Sequence, residues 1–207
     1  MSHQVSAILC DFANVIAFFD YDKVVRAFVE LSGGALSFEQ TKEALFGESI
    51  LKKIEVGEMP TPDFIAYIRR QLQLPTTPEQ AIIDAWNCLF TPNEAVIEVL
   101  HRIPGTVPLV LASTTNELHY EYFRSAYADT FALFSDFVTS FSVGAIKPDP
   151  AFYEACVQTA KVPANQCLYI DDIPEYIEAA KQLGIDGIAY TSTTNLAAEL
   201  QQRGVDL

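Results

Sequence analysis

The sequence is poor in positive charge. Of its 207 residues only 13 are Lys or Arg, against 27 Asp or Glu, which leaves a formal net charge of -14 at pH 7. A chain with this excess of negative charge repels the phosphates of nucleic acids and the head groups of anionic lipids. We therefore expect neither a nucleic acid nor a membrane as a partner, and any anionic substrate must be bound by local groups.

Long apolar runs and paired cysteines are also missing. The longest apolar runs, such as residues 109–112, are far shorter than the roughly 20 residues of a membrane-spanning helix. The N-terminus has no basic region followed by an apolar stretch, so we expect a cytoplasmic protein. The 4 cysteines are scattered without a CxxC pair, which argues against a zinc site and a disulfide framework.

The residues that are present allow a large core. Half of the chain is hydrophobic, with 14 Phe and 9 Tyr, and only 19% is charged. This composition excludes a disordered chain. The length predicts one domain with a sizeable insertion, because typical domains have roughly 150 residues.

Short apolar runs alternate with helix-length segments along much of the chain. The runs predict buried parallel strands, and the segments between them predict helices, so the expected fold is an α/β sandwich in which helices flank a parallel sheet. The predicted strands are 5–11, 107–113, 167–171 and 187–190, and the predicted helices are 93–102, 117–127, 150–160, 174–183 and 195–203.

Residues 17–90 break this alternation, since they show helical periodicity without a strand-like run. We therefore predict an all-helical insertion at 17–90 within an α/β core made of residues 1–16 and 91–207.

Local signals predict where helices of this region begin. Thr61 and Thr77 each precede a proline, which predicts a threonine N-cap followed by proline at the first helical position. The run from Thr91 to Glu94 predicts a capping box where the core resumes.

Polar side chains follow the predicted strands. In an open parallel sheet, ligands bind beyond the carboxyl ends of the strands, so these side chains should converge. A carboxylate there can be a nucleophile or a metal ligand, a hydroxyl and an ammonium can hold phosphoryl oxygens, and further carboxylates can complete an oxygen shell for Mg²⁺. The set predicts phosphoryl transfer; its members are Asp11, Ser113, Lys147, Asp171 and Asp172.

Four ordered motifs resemble those of the haloacid dehalogenase (HAD) superfamily. They are Asp11-Phe-Ala-Asn-Val-Ile, Leu-Ala-Ser113-Thr-Thr-Asn, Gly144-Ala-Ile-Lys147-Pro-Asp-Pro and Tyr-Ile-Asp171-Asp172. The match covers most of the chain outside the insertion, and the insertion lies where this superfamily carries its helical type-1 cap. Details of the first, second and fourth motifs resemble the branch that contains the bacterial glucose-1-phosphate phosphatase.

The resemblance implies a Rossmann-like core with a cap and a Mg²⁺-dependent phosphatase that acts on a small phosphorylated metabolite, with a sugar 1-phosphate as one candidate. It also implies an aspartyl-phosphate intermediate. By resemblance, Asp11 is the nucleophile, Ser113 and Thr114 bind the phosphoryl group, and Lys147 neutralises charge. The implied Mg²⁺ ligands are Asp11, the backbone carbonyl of Ala13, Asp172 and, directly or through water, Asp171.

One position departs from the family pattern. Most phosphatases of this superfamily carry an Asp two residues after the nucleophile, where it protonates the leaving group, and here that residue is Ala13. A general acid contributes roughly 10²–10⁴-fold to rate. Asp20, Asp22 and His119 are candidate substitutes, although caps, solvated acids and an ordinary helix histidine are the simpler interpretations.

Three alternatives stay open from the sequence. Trp86 fits the core stripe of a helix in the insertion, and a substrate-stacking role is the less favoured interpretation. The chain could instead be a 2-haloacid dehalogenase, which also lacks the second acid, but two strand-end carboxylates beside a nucleophile favour a metal-dependent enzyme. A non-catalytic binding relative is a further possibility, against which the presence of Asp11 argues.

Overall fold

A computed structural model describes residues 4–207. Within them, five strands form one parallel sheet in the order β5-β4-β1-β6-β7, and two short strands form a separate antiparallel ribbon, β2-β3. The strands are β1 (Ala7–Cys10), β2 (Ala17–Phe19), β3 (Phe90–Pro92), β4 (Leu109–Ser113), β5 (Asp136–Thr139), β6 (Cys167–Asp171) and β7 (Asp186–Ala189).

Helices connect these strands and fill the insertion. None of the helices in residues 4–207 has the length and apolar character needed to cross a membrane. They are α1 (Tyr21–Leu31), α2 (Phe38–Phe46), α3 (Glu48–Glu55), α4 (Thr61–Gln71), α5 (Glu79–Asn87), α6 (Glu94–Leu100), α7 (Glu117–Ala126), α8 (Ala128–Phe131), α9 (Ser140–Val143), α10 (Pro150–Ala160), α11 (Pro174–Gln182) and α12 (Leu196–Gln202), with a 3₁₀ turn at Ala164–Gln166.

The sheet is covered on both faces. Successive residues of a strand point to opposite faces, so Ile8 and Cys10 of β1 pack in one hydrophobic cluster with α6, α7, α8 and α12. Ala7 and Leu9 pack in a second cluster with α10 and α11. Burial on both faces explains why the central strands are continuously apolar. The predicted α/β fold with a helical insertion is confirmed.

The helices α1 to α5 share a hydrophobic cluster of their own. It includes Phe28 of α1, Ile54 of α3, Phe64 of α4 and Trp86 of α5, all nearly or fully buried. Because this cluster draws on helices that lie between β2 and β3 in the chain, those two strands are the crossings between the sheet and the insertion. The boundaries of the two units, 1–16 with 91–207 and 17–90, stay a prediction.

Three strands were missed from the sequence. The region 17–90 was expected to contain no strand, yet Ala17–Phe19 pairs with Phe90–Pro92, because the two crossings run side by side and satisfy each other's backbone groups. The third is Asp136–Thr139, an edge strand of which only two residues are buried, so it lacks a continuous apolar run.

The expected threonine caps are wrong. Helix α4 begins at Thr61 itself, whose hydroxyl donates to the Glu117 carboxylate of α7, and α5 begins at Glu79 after Pro78. The capping box expected at Thr91 does not form, because Thr91 lies in β3. A tertiary partner replaces the local cap at Thr61, and strand pairing replaces it at Thr91.

Candidate active site

Three strands end at one edge of the sheet and bring polar side chains together there. Asp11 follows β1 directly, Ser113 is the last residue of β4, and Asp171 is the last residue of β6. Lys147 reaches the same point from the loop between α9 and α10. This is the convergence that strand-end residues of a parallel sheet are expected to show.

The ammonium of Lys147 lies between two carboxylates. Its Nζ is 2.9 Å from Oδ1 of Asp11 and 2.7 Å from Oδ2 of Asp171, and all three side chains are buried. Burial alone would lower the pKa of Lys147, but the charges of Asp11 and Asp171 outweigh burial and raise it above its usual value. The lysine is therefore a fixed cation rather than a proton donor.

Both carboxylate oxygens of Asp171 accept hydrogen bonds. Oδ2 accepts from Lys147 and from the Tyr169 hydroxyl, while Oδ1 accepts from the backbone N–H of Ile173 at 2.8 Å. Its side chain has no exposed surface. This carboxylate thus holds Lys147 in place from beneath the site.

Asp172 differs from its neighbour because it is half-buried and faces a cavity. Its Oδ2 accepts a hydrogen bond of 2.9 Å from Nδ2 of Asn14. Asn14 has a left-handed backbone with φ of 57°, which asparagine tolerates better than most residues. The turn after Asp11 is thereby tied to the end of β6.

The donor set fits a magnesium ion. Carboxylate oxygens of Asp11, Asp171 and Asp172 lie within 4.8 Å of one another, and a single ammonium accompanies these three carboxylates. Within the described residues, the Ala13 carbonyl also accepts no backbone hydrogen bond in the turn after Asp11. Mg²⁺ prefers such oxygen ligands, and its charge would balance the excess carboxylates.

Hydroxyl groups border the site on the β4 side. Ser113 is almost completely buried and lines the cavity, as does Thr114. The Thr114 hydroxyl accepts from the backbone N–H of Lys147 at 3.3 Å, and Ser140 bonds both backbone groups of Thr115. The loop after β4 is thus fixed against the loop that carries Lys147.

A cavity of about 230 Å³ lies over these groups. Its floor is the strand-end cluster, and its opposite wall comes from the insertion, with Tyr21 of α1 and Leu51 and Glu55 of α3. Tyr176 of α11 lines it beside Lys147, whose ammonium is 5.3 Å from the centre of the tyrosine ring. Aromatic and apolar side chains make up much of the remaining wall.

Neither acid proposed at the start of the insertion serves this cavity. Asp20 is the N-cap of α1 and accepts from the backbone N–H of Asp22. Asp22 lies 3.2 Å from Lys42 and 3.6 Å from Arg26 on the exposed surface. Both therefore have the simpler role of cap and solvated ion pair.

His119 lines the cavity, but both of its ring nitrogens are engaged. Nδ1 accepts from the Asn116 amide at 3.0 Å, which leaves Nε2 as the donor to the Trp86 carbonyl at 3.3 Å. Burial lowers the pKa of His119 to about 3. A neutral imidazole whose two ring nitrogens are both hydrogen-bonded is not a proton donor at neutral pH.

Trp86 belongs to the core of the insertion. It has no exposed surface, packs against Phe46 and Phe64, and donates its indole N–H to Asn116 at 3.3 Å. These contacts favour the interpretation of Trp86 as a core residue. Its stacking on His119 links the insertion to α7.

Sequence reasoning assigned no role to three contributors. Asn14 lies inside the first motif, where an asparagine in a tight turn was a usable signal. Tyr169 precedes Asp171 on the same face of β6, so period-2 alternation could have found it. Glu55 lies in the insertion outside every motif, and no sequence signal pointed to it.

Comparisons with known proteins agree with this architecture. The model of the haloacid dehalogenase-like hydrolase family matches residues 5–184. The chain belongs to this family. A D-ribitol-5-phosphate phosphatase of Bacteroides thetaiotaomicron is 24% identical over 88% of this chain and 90% of its own length.

Solved structures of HAD proteins show the same fold. A HAD family enzyme from Bacteroides thetaiotaomicron, in complex with magnesium and inorganic phosphate, has a TM-score of 0.79 at 18% identity and covers 94% of this chain and 98% of its own. The L-2-haloacid dehalogenase of Xanthobacter autotrophicus has a TM-score of 0.61 at 17% identity, covering 98% and 84%.

Proposed function

We propose that this HAD hydrolase is a Mg²⁺-dependent phosphatase that cleaves a small phosphomonoester through a phosphoryl group carried on Asp11. The observation that carries the proposal is the buried arrangement of Lys147 between Asp11 and Asp171, with Asp172 beside them. A fixed cation next to a strand-end carboxylate suits an attack on an anionic phosphoryl group.

In the proposed reaction an Asp11 oxygen forms a bond to phosphorus while the bond from phosphorus to the bridging oxygen breaks. Lys147 holds Asp11 in its attacking position. Its ammonium also stabilises the negative charge on a phosphoryl oxygen. Ser113 and Thr114 donate hydrogen bonds to the other phosphoryl oxygens. Water then attacks the phosphorus and frees Asp11.

Asp11, the Ala13 carbonyl and Asp172 would hold the Mg²⁺. The bound ion supplies charge neutralisation for the phosphoryl oxygens, so that an anionic nucleophile can approach them. Asp171 was expected to be a ligand directly or through water; because both of its oxygens already accept hydrogen bonds, we propose that it acts mainly by positioning Lys147.

The cavity favours a substrate that carries no charged group other than the phosphate to be cleaved. Among the cavity-lining residues that the structure describes, Lys147 is the one cation, and it is occupied by two carboxylates. A second phosphate or a carboxylate on the substrate would meet Glu55 and aromatic rings instead of a positive charge. Sugar phosphates and polyol phosphates both meet this charge requirement, and the similar phosphatase from Bacteroides is named for a polyol phosphate.

We also propose the domain division predicted from the sequence, in which the insertion at 17–90 acts as a cap that closes over the substrate and excludes water. The core would comprise 1–16 and 91–207. The cytoplasmic location stays a prediction.

The carboxylate cluster favours a phosphatase over a dehalogenase. Dehalogenation needs no metal, and the Asp172 carboxylate, which has an oxygen within 4.8 Å of one of Asp11, would then only repel the charge of the nucleophile. A divalent cation held by Asp11 and Asp172 gives both of these carboxylates a use.

The test is a panel of phosphomonoesters assayed with Mg²⁺ and with EDTA. We expect Mg²⁺-dependent phosphate release that is fastest from esters without a second charged group. We expect no chloride release from 2-chloropropionate. Full activity in EDTA, or metal-independent chloride release, would overturn the proposal.

A further inference from the structure

The residue that replaces the missing general acid is the open question of this site. Ala13 offers only a methyl group where a carboxyl is expected. The three substitutes suggested by the sequence are engaged elsewhere: Asp20 as a cap, Asp22 in surface ion pairs and His119 in two hydrogen bonds.

Glu55 is a cavity-lining carboxyl with no assigned role. It lines the same cavity as Asp11 and Ala13, but from the insertion side, as the last residue of α3. Its side chain is partly buried, and within residues 4–207 it forms no ion pair, although Lys52 and Lys53 precede it in the last turn of α3. A partly buried carboxylate without an ion-pair partner carries a desolvation cost, so a position of this kind needs another reason.

The surroundings of Glu55 favour its protonated form. Burial raises the pKa of Glu55 to about 7, and the charge of Lys147 opposes this only in part. The negative end of α3 acts in the same direction as burial. The neutral tyrosines Tyr21 of α1 and Tyr176 of α11 line the same cavity, as do Asp11 and Asp172. A carboxyl of this kind can both give and take a proton at neutral pH.

The segment that carries Glu55 is fixed against the core. Gly57 has φ of +74°, and a Cβ at this position would lie 2.6 Å from the backbone carbonyl of Phe141. Only glycine allows this close approach. Four residues further on, the Thr61 hydroxyl donates to the Glu117 carboxylate. Both contacts follow the end of α3 and fix the segment just after Glu55 against the core.

We propose that Glu55 is the catalytic residue that exchanges a proton with the leaving group, in place of the carboxyl absent at Ala13; this inference rests on the proposed phosphatase function. As the bond from phosphorus to the bridging oxygen breaks, its electron pair stays on that oxygen, which takes the proton of the Glu55 carboxyl. Glu55 is left as a carboxylate. When water attacks the phosphoryl group on Asp11, Glu55 takes a proton from that water and is restored.

The test compares Glu55→Gln with wild type on two aryl phosphates of similar shape, p-nitrophenyl phosphate and phenyl phosphate. Phenolate is the poorer leaving group and needs a proton more. We expect the substitution to lower kcat/KM for phenyl phosphate by roughly 10- to 10²-fold and for p-nitrophenyl phosphate by no more than about 3-fold. Glu58→Gln, at an exposed position just after α3, is the matched control and should behave as wild type on both.

A loss of equal size on both substrates, or no loss on either, would overturn the role of Glu55. If wild type released no Asp11-dependent phosphate from either ester, the proposed function itself would fail. Folding is checked separately by thermal unfolding at pH 8, where Glu55→Gln should be at least as stable as wild type because glutamine has no charge to desolvate. A clear fall in unfolding temperature would assign Glu55 a structural role instead.

Discussion

The two walls of the cavity differ in how their charges are balanced. On the sheet side, Lys147 is within 2.9 Å of both Asp11 and Asp171, and Asp171 has a donor on each oxygen. On the insertion side, Glu55 faces the same space without an ion-pair partner in the described residues.

This difference reflects two chemical tasks. Lys147, which faces the phosphoryl anion, must keep its charge, so it is held by two carboxylate partners whose removal is costly. A group that exchanges a proton must be able to change its charge, and a strong ion pair would prevent that change. The sheet side therefore has the features of a fixed binding surface, and the insertion side those of an acid and base.

The largest effect is expected from Lys147→Met, which removes the fixed cation. Two buried carboxylates lose their partner, so the free energy of unfolding should fall by about 3–5 kcal/mol, and kcat by roughly 10²–10³-fold. Urea unfolding and steady-state kinetics measure both.

The control for this change is Lys181→Met. Lys181 forms an exposed pair with Glu178, so its loss should cost less than about 1 kcal/mol. Equal stability losses at the two positions would show that the buried cation is not special.

The next comparison separates the two neighbouring acids at the end of β6. Asp172→Asn should raise the Mg²⁺ concentration for half-maximal activity by roughly 10²-fold, because it removes a ligand charge. Asp171→Asn should mainly lower stability, because Lys147 loses a partner. A larger shift in Mg²⁺ requirement for Asp171→Asn would reverse our assignment of ligand and support.

A smaller effect is expected from Gly57→Ala, which disturbs only the contact between the insertion and the Phe141 carbonyl. Gly57 and Gly33 both have positive φ, but a Cβ at Gly33 meets nothing within 4 Å. Each change should therefore cost about 1 kcal/mol of backbone strain. Gly57→Ala should in addition lower kcat/KM by about 10-fold, since a 1 Å displacement of Glu55 impairs catalysis. Equal activity of both variants would show that this contact does not position the site.

The last comparison concerns the pH dependence of stability that His119 causes. The unfolded chain takes up a proton near pH 6.5, whereas burial holds the pKa of folded His119 to about 3. The contribution of neutral His119 to the free energy of unfolding is therefore fully present above pH 6.5. It is lost as pH falls towards 3, and the loss is about 2 kcal/mol at pH 5.

His119→Asn should remove this part of the acid sensitivity, as seen in urea midpoints at pH 8 and pH 5. The same substitution at exposed His101 is the control. An unchanged pH dependence in His119→Asn would mean that this imidazole is not held neutral.

The sheet side could be predicted from the sequence because its chemistry is local. Asp11, Ser113 and the Asp171-Asp172 pair end strands, and strand ends of a parallel sheet meet at one edge. Helix α10 was also predicted at its observed bounds, 150–160, since a proline starts it.

The insertion side could not be predicted in the same way. Which face α3 turns to the cavity depends on packing of α1 to α5, and on the contact between Gly57 and Phe141, which are distant in sequence. Likewise Thr61 has a tertiary partner and Thr91 a strand partner where local helix caps were predicted. Sequence motifs report groups that act together at strand ends, and they are silent on a carboxyl supplied by a separate unit.

The most direct test of the account is a search for the phosphoryl group on Asp11. Enzyme mixed with Mg²⁺ and p-nitrophenyl phosphate is quenched in acid during turnover, digested and measured by mass spectrometry. The account predicts a phosphoryl group on the peptide that contains Asp11, and neither label nor turnover in Asp11→Asn. Continued phosphate release by Asp11→Asn, with wild-type enzyme unlabelled during turnover, would contradict it.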